Sequence, residues 1–246
     1  MNEKSIFLHM PKTAGSTLRN AFDSLFKENL VLDYNDTPIN IEKDIVLSNL
    51  ENDRSFYYEN NKIRIRNDVG GYNLLDKEKI YEQDICIYGH FLPNKYYLDE
   101  VFLKNTKFFT FLRDPICRSI SHYYFWKRNS HSSRNSIGFR KKVFYEMSLE
   151  EFMTSKIICS FYQNYFYNFD YKNFNFVGIT ENFKEDFETL NKLFFSSKLI
   201  YPSKSYNVNN QKNQKEIDNM LSRIDTKKLF KKEYEIFDYF KNKSYC

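Results

Sequence analysis

The chain has 246 residues, 41% hydrophobic and 28% charged, which is enough apolar content for one sizeable core and too much for a disordered segment. Lysine and arginine number 37 against 32 aspartates and glutamates, and the resulting +5 suits an anionic ligand without calling for a nucleic acid. Cys86, Cys117, Cys159 and Cys246 stand far apart, with no CxxC and no histidine at ligand spacing, which argues against a disulfide framework and a bound metal.

In chain order, Ser5–Met10 is a short, nearly continuous apolar run, the pattern of a strand covered on both faces. The small and polar Pro11–Thr17 follows. Then Leu18, Ala21, Phe22, Leu25 and Phe26 mark one face of a helix ending near Asn29. Strand, tight loop and helix form the opening unit of an α/β fold. Residues 31–80 read as an insertion, with Ile63 and Ile65 alternating against Lys62, Arg64 and Arg66 as in a half-exposed strand. Buried strands are predicted at Asp84–Tyr88, Lys107–Leu112 and Phe176–Thr180. Pro115 suits the first turn of a helix over about 116–128. Ser148 and Glu151 have capping-box spacing, and Phe183, Phe187, Leu190 and Phe194 lie along another helix face. An amphipathic helix over Lys227–Lys241 closes a single domain over 1–246. No run nears the 18 apolar residues of a membrane span and no signal peptide is evident, so the expected location is the cytoplasm, at most peripheral to a membrane.

The loop after the first strand has the makings of an anion site. Backbone N–H groups converge at a helix start, and the helix dipole favours negative charge there. Lys12 adds a charge, Gly15 lets the backbone approach a ligand, and Ser16 and Thr17 add hydroxyls. The ATP-type loop G-x-x-x-x-G-K-[ST] is not present, because Lys12 precedes the only glycine.

Phe7-Leu8-His9-Met10-Pro11-Lys12-Thr13-Ala14-Gly15-Ser16-Thr17-Leu18 closely resembles the 5′-phosphosulfate loop of carbohydrate sulfotransferases that use 3′-phosphoadenosine 5′-phosphosulfate (PAPS), nearest to the heparan uronosyl and chondroitin type. Phe111 through Tyr123, with Arg113-Asp114-Pro115 and Ser121, resembles the family's 3′-phosphate segment. Tyr88-Gly89-His90-Phe91 and Phe176 through Phe183 are two further echoes, and the four occur in the family's order. The resemblance implies a P-loop-like three-layer α/β fold with a central, mainly parallel sheet flanked by helices. It also implies PAPS as sulfuryl donor with no metal required. The donor's binding residues would be Lys12, Thr13, Ala14, Gly15, Ser16 and Thr17 at one end and Arg113 with Ser121 at the other. A strand-end arginine fits a phosphate because its fork binds two oxygens at once.

Transfer to a sugar hydroxyl needs a base, and His90, after Gly89 at the end of an apolar strand, is the best placed of four histidines. Lys12 would stabilise the departing phosphate. Some relatives carry a second histidine where this chain has Tyr88, so a carboxylate within 31–80 is the alternative base. His9 reads as a packing or orienting residue, His122 as facing the helix interior or the nucleotide, and His131 as solvated.

For the acceptor, an oligo- or polysaccharide, the acid-free stretch 127–147 up to Tyr145 offers Lys127, Arg128, Arg134, Arg140, Lys141 and Lys142 as a basic loop. Tyr96, Tyr97, Tyr123, Tyr124 and Trp126 are candidate sugar-stacking rings. Tyr206–Lys212 loosely resembles a late family segment near the nucleotide. A nucleotide kinase and a non-catalytic anion- or glycan-binding protein on the same fold are the competing functions.

Overall fold

The computed structural model of the protein describes residues 4–34, 57–59, 62–66, 72–76, 83–97, 105–128, 139–202 and 213–245. Their strands are β1 (Lys4–Leu8), β2 (Leu30–Asp33), β3 (Tyr57–Glu59), β4 (Lys62–Arg66), β5 (Tyr72–Asp76), β6 (Ile85–Gly89), β7 (Thr106–Leu112) and β8 (Phe176–Ile179). Their α-helices are α1 (Gly15–Phe26), α2 (Asn94–Tyr97), α3 (Pro115–Arg128), α4 (Phe139–Tyr145), α5 (Leu149–Thr154), α6 (Lys156–Cys159), α7 (Phe161–Tyr165), α8 (Phe183–Phe195), α9 (Gln214–Arg223), α10 (Thr226–Leu229) and α11 (Lys231–Lys241).

Five strands form a parallel sheet in the order β2-β6-β1-β7-β8, and β3-β4-β5 form a separate antiparallel one. The apolar runs that read as doubly covered strands are that in the structure. In β1, Ile6 and Leu8 enter one core while Phe7 enters another. In β6, Ile85 and Ile87 join the first and Cys86 and Tyr88 the second; in β7, Phe108 and Leu112 oppose Phe109 and Phe111. The two-residue period of a strand sends neighbours to opposite faces, so two cores on one sheet make three layers. Leu18, Ala21 and Phe22 of α1 and Phe187 and Leu190 of α8 cover one face, while residues of α3, α5, α7 and α11 cover the other. The expected α/β three-layer class is observed.

Three boundaries differ from the sequence reading. Val31–Asp33, placed in the insertion, belong to β2 at the sheet edge. Within the stretch expected as a loop over 127–147, residues 139–145 form a helix. The C-terminal helix is broken at Phe230, which is fully buried between α10 and α11. Elsewhere the local signals held. Ser148 accepts from the Glu151 N–H at 3.2 Å while the Glu151 carboxylate takes the Ser148 N–H at 2.8 Å, a complete capping box at α5. No helix among the described residues is long and apolar enough to cross a membrane.

Candidate active site

The strand order determines where a ligand can enter. From β1 the chain crosses to β2 on one side of the sheet, and from β7 it passes to β8 on the other. The carboxyl ends of β1 and β7 are therefore the topological switch point, the place where open α/β sheets bind their ligands. Residues 9–14 leave β1 there and Arg113 leaves β7 there. The Arg113 guanidinium reaches across to the first loop, with Nη1 donating to the Lys12 carbonyl at 3.4 Å. The 9–14 loop and the strand-end arginine, whose contact spans 101 residues of the chain, thus share one edge of the sheet.

The loop is built for a tight turn. Lys12 and Ala14 take left-handed backbone angles, with φ of 71° and 63°, and Thr13 folds inward with its hydroxyl donating to the Met10 carbonyl at 2.8 Å. Ala14, at the N-cap, offers no side-chain acceptor to the first turn of α1. An anion at that end would meet the amide donors that a capping serine or aspartate would otherwise occupy. Lys12 Nζ lies 4.2 Å from the centroid of the Phe125 ring, so its charge is held over an aromatic face. Ser16 is exposed, whereas Thr13, Thr17 and Ser121 are buried. Thr13 is thereby a structural member of the loop, its hydroxyl committed to Met10.

Gly15 also serves the packing of the chain itself. A β-carbon there would fall inside the His9 ring, so the glycine makes room for an imidazole of the chain itself. Tyr88 completes this packing, its hydroxyl donating to the Gly15 carbonyl at 2.5 Å. His9 is the packing residue it was expected to be. Burial, helped by the charges of His90, Arg19 and Lys12, keeps its pKa well below the ordinary histidine value.

His90 stands beside it, the two rings 4.4 Å apart. The β1–β6 ladder continues one step beyond Leu8, with His9 N–H donating to the Gly89 carbonyl at 2.7 Å. The next contact is the useful one, in which the His9 carbonyl faces His90 Nδ1 at 2.5 Å. A carbonyl only accepts, so Nδ1 carries the proton and Nε2 keeps the lone pair. Burial lowers the His90 pKa to about 4, with the His9 carbonyl opposing weakly. At neutral pH the imidazole is therefore uncharged, in the tautomer that accepts a proton at Nε2. The Tyr34 ring meets it edge-on at 4.8 Å.

His122 lies inside, 4.3 Å from Trp126 and 5.8 Å from Phe161 by ring centroids. Burial depresses its pKa, and the charges of Arg118, Lys12, His90 and Arg140 act in the same direction. Arg140 lies within 6.0 Å of the Trp126 ring centroid, which brings one residue of the basic stretch near the site.

Other expected residues fall elsewhere. Tyr96, Tyr123, Tyr124 and Trp126 are buried in the core and unavailable for stacking on a sugar, leaving Tyr97, 37% exposed. His131, Arg134, Tyr206–Lys212 and the side chains of Lys62, Arg64 and Arg66 lie outside the described residues. Asp33, the carboxylate of the 31–80 span whose side chain is described, is fully buried and bonded to Lys95 Nζ at 2.8 Å and to the Tyr96 hydroxyl at 2.5 Å. That engagement removes it as an alternative base. No group of three His, Cys, Asp or Glu side chains suited to a metal occurs among the described residues.

Sequence reasoning missed the supports behind Arg113. Glu181 holds the Arg113 Nε at 3.7 Å and accepts the Asp114 N–H at 3.3 Å. The fully buried Arg118 stacks on Phe161, 3.5 Å from the centroid, and bonds Ser119 at 2.8 Å. Burial lifts the Glu233 carboxyl to about 7, against the pull of the Tyr162 N–H and of Arg118.

No family model matches the chain, and no curated protein matches it. Among solved structures, mouse sulfotransferase SULT7A1 complexed with PAP aligns over 100% of this chain and 67% of that one, at 12% identity and a TM-score of 0.34. A likeness at that level carries no functional argument.

Proposed function

We propose that the protein is a sulfotransferase that moves the sulfuryl group of PAPS to a hydroxyl of a carbohydrate, an oligo- or polysaccharide. The observation that carries this reading is the convergence at the switch point. A cationic strand–loop–helix turn from β1, an arginine fork from β7 and a neutral, tautomerically fixed histidine from β6 meet at one sheet edge. The donor set fits a nucleotide with an anionic group at each end, because Lys12, the N-terminus of α1 and Arg113 are all anion donors and residues 9–17 contain no Asp or Glu to compete.

In this reading the 12–17 loop holds the 5′-phosphosulfate end, and Arg113 with Ser121 holds the 3′-phosphate. PAPS supplies the activated sulfuryl group. His90 Nε2 accepts the proton of the attacking sugar hydroxyl as its oxygen bonds to sulfur. Lys12 Nζ, together with the first amides of α1, stabilises the negative charge left on the 5′-phosphate when the bridging S–O bond breaks. The proton ends on His90, the sulfuryl group on the sugar, and adenosine 3′,5′-bisphosphate leaves.

Transfer of ³⁵S from labelled PAPS to a panel of oligosaccharides tests the activity, and calorimetry with adenosine 3′,5′-bisphosphate against ATP tests the site. Turnover with preference for the bisphosphate is expected. Preference for ATP would point to a kinase, and tight bisphosphate binding without transfer to any sugar would leave a non-catalytic binding protein.

A further inference from the structure

Arg113 sits just past the end of β7, where the sheet no longer supplies partners to its peptide groups, and α3 begins only at Pro115. Both groups are taken by one phenol. The Tyr162 hydroxyl donates to the Arg113 carbonyl at 2.5 Å and accepts from the Arg113 N–H at 3.1 Å. A hydroxyl can do both at once, and here both bonds fall on a single residue.

Tyr162 is itself fixed from behind. Glu233, with no exposed surface, accepts the Tyr162 N–H at 2.8 Å and the Gln163 N–H at 3.3 Å, which sets the start of α7. The next residue, Tyr234, donates to Asp114 Oδ2 at 2.8 Å. The first turn of α11 therefore steadies both members of the Arg113–Asp114 step. The phenol ring is fully buried and packs against Phe161 and Phe166.

We propose that Tyr162 is a positioning residue for Arg113: by clamping the Arg113 N–H and carbonyl, in the two peptide groups that flank its Cα, it aims the guanidinium at the nucleotide's 3′-phosphate. This rests on the nucleotide reading given above. Bidentate recognition is intolerant of displacement, and a shift of about 1 Å in a positioned group can cost on the order of 10²-fold.

Tyr162→Phe removes only the hydroxyl and keeps the packed ring. Calorimetry on wild type and variant would use adenosine 3′,5′-bisphosphate and AMP, which lacks the 3′-phosphate. The bisphosphate should bind about tenfold more weakly to the variant, the effect of losing a hydrogen-bonded support, while AMP changes by less than about twofold. In an Arg113→Ala background, Tyr162→Phe should cost nothing further, because the two residues act as one unit. Equal loss for both nucleotides, no loss for either, or additive losses in the double variant would each overturn the proposal. Glu233→Gln, which keeps an oxygen for the Tyr162 N–H, is expected to show the same selectivity in weaker form, and it carries the test should Tyr162→Phe fail to fold. A wild-type protein that binds AMP and the bisphosphate alike would defeat the 3′-phosphate assignment of Arg113 itself, and the role of Tyr162 with it.

Discussion

Protonating His90 in the folded protein should require a pH near 4, because burial pushes its imidazole down to about 4. Against an ordinary histidine at about 6.5, that difference is worth about 3 kcal/mol. The rate and the stability should both register it. For the rate, a base that stays unprotonated keeps kcat/KM level from pH 8 down to about 5, with a tenfold fall per unit only below about 4. For stability, the folded pKa lies below the unfolded one. The contribution is therefore complete above about pH 6.5 and is lost as the pH falls through about 4. His9 and His122 are depressed in the same direction by burial, so the informative quantity is the difference between wild type and His90→Ala. Initial ³⁵S-transfer rates between pH 4 and 9 would be measured beside urea midpoints at each pH, so that unfolding is not read as lost chemistry. His90→Ala should lower transfer at pH 7 by about 10²–10⁴-fold and flatten the stability loss between about pH 6.5 and 4. It should also leave adenosine 3′,5′-bisphosphate binding nearly intact. An acid limb centred near 6.5, or wild-type turnover in His90→Ala, refutes the assignment of the base and its environment.

Lys12→Ala should lose about 10²-fold in kcat with a smaller change in nucleotide affinity, since its interaction strengthens as charge develops; a change confined to the apparent KM for PAPS would make it a plain binding residue. Gly15→Ala places a methyl group inside the His9 ring and should cost about 1–3 kcal/mol by thermal or urea unfolding. The double variant Gly15→Ala/His9→Ala should recover part of that loss, and strictly additive costs would show that the clash is not with His9. Asp33→Ala strands Lys95 without its buried carboxylate and should destabilise by about 3–5 kcal/mol in urea unfolding, whereas a loss under about 1 kcal/mol would mean that Lys95 escapes to water.

The parts of the site legible in the sequence are those that follow a strand directly. An apolar run of five or six residues between turn residues reads as a doubly covered strand, and a parallel sheet presents the carboxyl ends of all its strands along one edge. Residues just after such runs therefore share that edge, as the 9–14 loop, His90 and Arg113 do. What the sequence could not display is which groups fill the space between them. Gly15 advertises freedom of backbone or room for a neighbour, and only packing shows that the His9 ring is one such neighbour. The aromatic-rich stretch from Tyr123 to Trp126 looks the same whether it faces a sugar or the core, because helical spacing carries no label for the partner.

The supports of Arg113 are hidden for a further physical reason. Tyr162 lies 49 residues from Arg113 and Glu233 lies 71 from Tyr162, and neither interaction has a local signature, since a tyrosine in an aromatic-rich segment and a glutamate in an amphipathic helix are both unremarkable locally. Their placement follows from α7 and α11 packing on the same face of the sheet, where burial leaves polar groups no alternative to one another. A desolvated carboxylate that finds two backbone N–H groups, and a phenol that finds the N–H and the carbonyl of one residue, show how such packing pairs polar groups across the layer. The positions that would touch the nucleotide are thus dictated by the strands. The precision with which Arg113 is held is dictated by residues that never reach the crevice, and substitutions at Tyr162 should reveal that division as a selective loss of 3′-phosphate recognition.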